Sequence, residues 1–214
     1  MIDVKYFVTV ILAALFILGA VNVMAVEEAS YQVVKKDGPF EIRDYAPHLL
    51  AETFVEGEVD EVGSKAFRRL FSYISGENRS RAKIAMTAPV TQEAEGEKIA
   101  MTAPVSQQPS EGRWSVSFTM PASYSLETLP IPNDPQIIIR EVAARRMAAI
   151  RYSGFWSKKG YNQHKLELEG WLRQEGLSPA GDAIWARYDP PFKPWFMRRN
   201  EILIPLEGGT GIDP

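Results

Sequence analysis

Residues 40–56 read FEIRDYAPHLLAETFVE, and residues 137–153 read IIIREVAARRMAAIRYS, so a similar stretch recurs 97 positions further along the chain. Residues that match under this offset are Ile42 and Ile139, Arg43 and Arg140, Asp44 and Glu141, and Ala51 and Ala148. Each stretch predicts two strands joined by a turn, because two short apolar runs flank a break. We therefore expect a fold made of two related halves.

A helical pattern follows each of these stretches. Apolar residues spaced three and four apart predict one helix from about Glu61 to Ser75 and another from about Lys158 to Glu175. Gly76 and Gly176 follow directly, and glycine is the usual residue at a helix C-terminus. Further strands are predicted at Trp114–Met120, Ala183–Tyr188 and Glu201–Leu206. Because strands arrive in pairs, the sequence predicts an α+β fold: duplicated strand-strand-helix-strand halves forming a distorted antiparallel sheet or barrel with two main helices.

The octet KIAMTAPV occurs twice, at residues 83–90 and 98–105. Its apolar residues alternate, which predicts two antiparallel strands of one hairpin that turns near Glu95-Gly96. In that register Met86 and Met101 lie on the apolar side of the hairpin. We therefore expect both methionines to pack in the core.

Composition narrows the class of function. The chain has 214 residues, of which 45% are hydrophobic and 24% charged, as expected for one globular domain or two fused halves. Its net charge of −3 argues against a nucleic-acid partner, and the absence of cysteine excludes disulfides, thiolate metal sites and cysteine nucleophiles. Motifs of the common hydrolases, metalloproteases and nucleotide-binding folds are missing too, so we predict that the protein is not an enzyme. A hydrolase that relies on carboxylates alone is the alternative.

The N-terminal segment has a different composition. An apolar run from Tyr6 to Val21 is followed by Val23-Met24-Ala25, which fits a signal-peptidase site before Val26. The alternative is an uncleaved membrane anchor, although the run is shorter than the ~20 residues that a spanning helix needs. Either reading places the protein in the periplasm or outside the cell, with membrane contact only through this segment if it is uncleaved. The predicted boundaries are residues 1–25 for the leader, 30–206 for the domain and 207–214 for a flexible tail.

Four motifs that occur in order along the chain resemble the SOUL haem-binding protein family. They are KIAMTAPV, VSFTMPASY at residues 116–124, LPIPND at 129–134 and YDPPFKPWFMRRNEI at 188–202. The resemblance covers about Tyr31 to Leu206. It implies two pseudo-symmetric halves, as in gyrase-inhibitor-like domains. It also implies weak, non-covalent and non-catalytic binding of a small-molecule partner, haem or another tetrapyrrole, in an apolar cleft.

The resemblance also bears on how iron would be held. Members that ligate iron through histidine carry it just before the tyrosine of a motif like EIRDYAP, and Asp44 occupies that position here. The chain therefore resembles members that bind through an apolar cleft. His48 and His164 are the remaining candidate ligands. Their alternative roles are a solvated turn histidine and a hydrogen-bonded helix histidine, and the metal ligand is left open.

Aromatic and cationic side chains complete the set of candidate binding residues. Carried over from the resemblance, Phe67, Phe71 and Arg68 on the first helix would offer an aromatic wall beside a cation. Arg198 and Arg199 follow three aromatic residues in the loop before the last strand, and this combination suits a planar dianion such as a porphyrin. The alternatives are core aromatics with a solvated arginine, and an RRNE sequence at residues 198–201 that caps and pairs within the last hairpin.

Two other functions stay open from the sequence. The cleft could bind other flat amphiphilic molecules such as lipids, dyes or drugs, or the protein could be an enzyme acting on a tetrapyrrole. Absorbance spectra separate the first of these from tetrapyrrole binding, and turnover of the ligand identifies the second.

Overall fold

A computed structural model describes residues 26–57, 59–81 and 96–208. The strands are β1 (Tyr31–Asp37), β2 (Phe40–Tyr45), β3 (His48–Val55), β4 (Asn78–Arg79), β5 (Val105–Ser110), β6 (Arg113–Thr119), β7 (Ile131–Pro132), β8 (Ile137–Val142), β9 (Arg145–Tyr152), β10 (Ile184–Arg187) and β11 (Asn200–Pro205). The helices are α1 (Val59–Ile74) and α2 (Lys158–Gln174), and a 3-10 turn covers Trp195–Met197. The predicted leader, the first copy of the octet with Met86, and residues 209–214 lie outside the described residues. The predicted α+β fold is confirmed.

Nine strands form one curled antiparallel sheet in the order β1-β2-β9-β11-β10-β5-β6-β3-β8, and β4 pairs separately with β7. The first half contributes β2, β3, α1, β5 and β6, and the second contributes β8, β9, α2, β10 and β11. Strand β2 of the first half lies beside β9 of the second, and β8 of the second half lies beside β3 of the first. The first strand of each half therefore completes the sheet of the other half.

Both helices pack against the same face of the sheet, which we call the helix face. Leu70 of α1 and Leu168 of α2 are fully buried there, and each contributes about 1.5–3 kcal/mol by leaving water. Alternation along β9 assigns the two faces, since Ala148 and Ile150 belong to the cluster around α2, whereas Met147 lies in a separate cluster. The cluster that contains Met147 is on the opposite face, which we call the open face.

Local signals explain where α2 begins and ends. The Ser157 hydroxyl accepts a hydrogen bond from the Gly160 amide at 3.1 Å, which satisfies one of the free N–H groups of the first turn. At the other end Gly176 adopts a φ of +69°, and the Leu177 amide donates to the Leu172 carbonyl at 3.0 Å. The glycine stop expected from the sequence is thus confirmed for this helix.

The second octet does not form the predicted hairpin strand. Residues 98–102 lie in no strand, Ala103 makes only a single bridge to Glu28, and β5 begins at the last residue of the octet. Met101 is 43% exposed, so its predicted core position is wrong. The reason lies at the end of α1, where the Ile99 amide donates to the Ile74 carbonyl at 2.8 Å. Because the Ile99 amide already bonds to the last turn of α1, it does not pair with a neighbouring strand at this position.

Candidate functional sites on the open face and the 189–198 loop

A cavity of about 50 Å³ lies on the open face, between strands of both halves. Tyr31, Tyr45 and Tyr188 contribute aromatic rings to its wall, and Met147 and Leu203 contribute aliphatic surface. The lining also contains one acidic residue, Glu28, one histidine, His48, and two arginines, Arg140 and Arg145. The open face therefore offers a small site that combines rings with cations.

A buried ion pair stands beside this cavity. Arg43 on β2 donates to both carboxylate oxygens of Glu201 on β11, at 2.7 and 3.1 Å, and the two side chains are only 2% and 0% exposed. Arg199 and the Tyr188 hydroxyl also donate to Glu201, at 3.0 and 2.8 Å. Burial alone would raise the pKa of the Glu201 carboxyl, but the hydrogen bonds and charge of Arg43, with those of Arg199 and Tyr188, hold the pKa below its usual range. Glu201 is thus a saturated anion with no free lone pair aimed at a ligand.

A second, more open pair lies at the other end of the sheet. Arg140 on β8 donates from Nε to Glu52 of β3 at 3.1 Å, and the Ser115 hydroxyl also donates to this carboxylate. The Arg140 side chain is 41% exposed, while that of Glu52 is 7% exposed. This pair therefore keeps one partner in contact with solvent and with the cavity.

His48 and Arg145 meet at the cavity, and they are themselves related by the offset of 97 positions. The Nδ1 atom of His48 lies 2.9 Å from the Ala46 carbonyl oxygen, which assigns the proton to that nitrogen. Burial, reinforced by the charges of Arg145 and Arg140, lowers the pKa of His48, while the Ala46 carbonyl opposes this effect. His48 is therefore a neutral cavity residue at pH 7.

A second candidate site is a group of exposed rings that we call the aromatic rim: Phe155, Trp195 and Phe196. Phe155 stacks on Trp195 with ring centroids 5.0 Å apart, and Trp195 meets Phe196 edge to face at 5.5 Å. Phe155 and Phe196 are 62% and 60% exposed. Three touching rings left in water form an apolar surface of a kind that usually marks binding.

Arg198 holds the loop that carries Trp195 and Phe196 of this rim. Its Nε donates to the Lys193 carbonyl at 2.8 Å, its Nη2 donates to the Pro191 carbonyl, and its guanidinium lies 4.7 Å from the centre of the Trp156 ring. Lys193 in turn pairs with Asp189 at 2.5 Å. These contacts fix the loop, so the rings are presented on an ordered backbone.

The structure distributes the predicted binding residues rather than gathering them. His48, Arg199 and Arg68 line three different cavities. Arg199 is occupied by Glu28 and Glu201, so a role in pairing with propionates would require it to exchange partners. The proposed roles of these three residues stay predictions.

The remaining predicted residues lie on the two helices, apart from Arg198, which holds the rim loop. Phe67 stacks on Phe71 at 5.7 Å and also meets Phe118 of the core at 5.4 Å, so only Phe71, 47% exposed, is open to a ligand. His164 stacks on Tyr152 at 3.8 Å, and its Nδ1 lies 2.9 Å from Glu167. No ring contact among the described residues joins the Phe67–Phe71 pair to the aromatic rim.

Sequence reasoning missed three residues of the open face: Glu201, Tyr45 and Arg145. A usable signal was present, since an acidic residue in the strand NEILIP alternates with isoleucines and must face the side opposite to them. Among the described residues no cluster of three or more histidine and carboxylate side chains is placed to hold a metal ion. Within the same residues, neither helix is both long and apolar enough to cross a bilayer.

Comparison with known proteins agrees with this architecture. Two solved structures superpose over most of the chain: a hydrolase from Listeria innocua (TM-score 0.54, 13% identity, 81% of this chain and 94% of that one) and the C-terminal domain of EcmrR (TM-score 0.51, 12% identity, 83% and 98%). At such identities they are similar in fold alone.

Sequence relatives are closer. Heme-binding protein 1 of Xenopus tropicalis is 30% identical over 173 residues, covering 78% of this chain and 84% of the relative. Heme-binding protein 2 of Homo sapiens is 29% identical over 186 residues, covering 84% and 86%. The model of the SOUL heme-binding protein family matches residues 26–205. The chain therefore belongs to the SOUL haem-binding protein family.

Proposed function

We propose that the protein binds haem or another tetrapyrrole reversibly and non-covalently, without turnover, on the aromatic rim. The observation that carries this proposal is the rim itself, three exposed rings in which Trp195 contacts both Phe155 and Phe196, with Trp195 and Phe196 on a loop that Arg198 holds in place. Membership of a haem-binding family and relatives named for haem binding support it. The cavity of the open face, at about 50 Å³, is too small for a whole macrocycle, since pockets for drug-sized ligands measure about 300–1,000 Å³.

The chemistry of such binding follows from the side chains at the rim. A flat macrocycle would stack on Phe155, Trp195 and Phe196, and each aromatic contact contributes about 0.5–1.5 kcal/mol beyond the area it buries. The propionates would pair with a cation near the rim, and Lys159, an exposed residue of the first turn of α2, follows Phe155 by four positions. Such pairs are exposed and screened by salt, so the affinity would be modest.

Iron ligation is not the basis of this proposal. The Nδ1 atom of His48 hydrogen-bonds to the Ala46 carbonyl, and the Nδ1 atom of His164 hydrogen-bonds to Glu167, so in each ring Nε2 is the nitrogen that could reach an iron. Haem supplies its own iron, and a side chain that reached it would add to binding without being required. Other flat amphiphiles would use the same surface, which is the second candidate function.

The test is a haemin titration followed by the Soret band, with Trp195→Ala and Phe196→Ala as single variants. We expect each to weaken binding by about tenfold or more, equivalent to ~1.4 kcal/mol. Leu166→Ala is the matched control, because it removes a 62% exposed apolar side chain of α2 that lies outside the rim. Iron-free protoporphyrin should bind within about tenfold of haemin.

Two outcomes would overturn the rim as the site. One is unchanged binding by both rim variants together with lost binding by Phe71→Ala, which would move the site to α1. The other is a Soret shift abolished by His48→Ala or His164→Ala combined with no binding of protoporphyrin, which would make that histidine an axial ligand.

We further propose that the domain acts in the periplasm or outside the cell, on the basis of the apolar leader and the Val23-Met24-Ala25 sequence. Mass spectrometry of the periplasmic or secreted protein should then give an N-terminus at Val26. Detection of the full-length chain in the cytosol would contradict export. Recovery of the full-length chain in the membrane fraction would support the uncleaved anchor instead.

A further inference from the structure

The cavity of the open face has one cation more than it has anions. Glu28 is paired with Arg199 at 2.8 Å, and Arg140 is paired with Glu52 at 3.1 Å. Arg145, the remaining charged residue of the lining, has no ion pair and no side-chain hydrogen bond among the described residues. With His48 neutral, the wall carries one uncompensated positive charge.

The surroundings of Arg145 make this charge costly to leave alone. Its side chain is half-buried, and burial together with the like charge of Arg140 lowers its pKa. The neighbouring Arg146 lies on the opposite face of β9, and it donates two hydrogen bonds to the Asp44 carboxylate, at 2.7 and 2.8 Å. A half-buried guanidinium beside another cation is destabilising unless an anion joins it.

The rest of the wall indicates what kind of anion would fit. Tyr31, Tyr45 and Tyr188 with Met147 and Leu203 form an apolar and aromatic surface. A lipophilic cation would find no free carboxylate, because Glu201 beside the cavity already accepts hydrogen bonds from three donors.

We infer that this cavity binds a small monocarboxylate with a short aliphatic body, whose head pairs with Arg145. The planar guanidinium offers two parallel donors that match a carboxylate. The volume of about 50 Å³ restricts the ligand to a small molecule, so this site is separate from the aromatic rim and goes beyond the proposed tetrapyrrole binding. The cavity thus gives the domain a second ligand class.

Acetate and its neutral isostere acetamide test the inference by calorimetric titration of the full chain. We expect acetate to bind at least tenfold more tightly than acetamide, and Arg145→Gln to weaken acetate binding by at least tenfold. Arg145→Lys keeps the charge but loses the two parallel donors of the guanidinium, so its affinity for the carboxylate should lie between those of the wild type and Arg145→Gln.

Arg151→Gln is the matched control. Arg151 lies on the same strand and the same face as Arg145, six residues further along β9, and it too has no side-chain partner among the described residues. It lines a different groove, so acetate binding should be unchanged in this variant. Equal binding of acetate and acetamide by the wild type would overturn the inference. Equal weakening by the Arg145 and Arg151 substitutions would also overturn it, since it would show that net charge alone decides affinity.

Discussion

The two halves of the molecule place an arginine at the same position of their first strands, and the two arginines have different surroundings. Arg43 and Arg140 are related by the offset of 97 positions, and each reaches a glutamate of the opposite half. The Arg43–Glu201 pair is almost completely buried, whereas Arg140 in the pair with Glu52 is 41% exposed. The duplicated arginine has thus become an interior element in one half and a cavity wall in the other, with its glutamate partner supplied by β11 in the first case and by β3 in the second.

Additional partners explain the difference. Glu201 also receives hydrogen bonds from Arg199 and Tyr188, so its carboxylate is neutralised and surrounded. Among the residues that the structure describes, Glu52 accepts a hydrogen bond only from the Ser115 hydroxyl besides Arg140. The contrast teaches that internal symmetry of the backbone does not fix the role of a side chain, because the role depends on how many groups converge on it.

The largest effect is expected from breaking the buried pair. Arg43→Met leaves the Glu201 carboxylate buried without its principal cation, and the free energy of unfolding should fall by about 3–5 kcal/mol. Arg140→Met, the matched substitution in the other half, also leaves a nearly buried carboxylate, but Glu52 keeps its hydrogen bond from Ser115 and solvent reaches the pair beside the 41% exposed Arg140. The loss should therefore be smaller, about 1–3 kcal/mol. Urea denaturation of both variants measures the two values. Equal losses would show that the two pairs are equivalent despite their different burial.

A pH titration of stability sharpens the same comparison. Because the folded-state pKa of Glu201 is lowered, its contribution is fully present above the usual pKa of a glutamate, about 4.3, and is lost as the pH falls through the folded-state value. The stability difference between wild type and Glu201→Gln should therefore be largest near neutral pH and shrink below about pH 4.3. Glu127→Gln, an exposed position, is the control and should track the wild type. A difference that stays constant down to pH 2 would contradict the assignment.

The smallest effect concerns His48, the counterpart of Arg145 across the pseudo-symmetry. Its pKa is lowered by burial and by Arg145 and Arg140, so the unfolded chain takes up the proton first as the pH falls. Stability should be highest above about pH 6.5 and decline below it. His48→Gln should remove that part of the decline and leave stability above pH 7 nearly unchanged. A steeper decline in the variant would contradict the direction of the shift.

Much of the fold could be predicted from the sequence because its signals are local. The helix expected at about 61–75 is observed at Val59–Ile74, and that expected at about 158–175 is observed at Lys158–Gln174. Apolar periodicity depends on neighbours three or four residues away, and such information is contained in a short window. The family resemblance, stated from four motifs, is confirmed over residues 26–205.

The rest depends on contacts between distant residues. Periodicity indicates that a segment is a strand but not which strand it pairs with. The sequence therefore did not predict that β2 and β8 each pair with a strand of the opposite half. The second octet alternates like a strand, yet Ile99 closes the end of α1 and Met101 faces solvent. Likewise the sequence RRNE left Arg199 either open to a ligand or paired within the last hairpin, and the structure shows Arg199 paired with Glu201.

The exchanged strands have a consequence for how the chain folds during synthesis. Strand β3 needs β8 and β2 needs β9 as hydrogen-bonding neighbours, and both partners are made only after the first half has been completed. The ion pair of Arg43 joins residues 158 positions apart. Contacts so distant in sequence slow folding, because long loops must close before the contacts can form. Translation supplies about 5–20 residues per second, so the first half waits several seconds with unpaired strand edges. Neither half can reach its final structure before the other has been made.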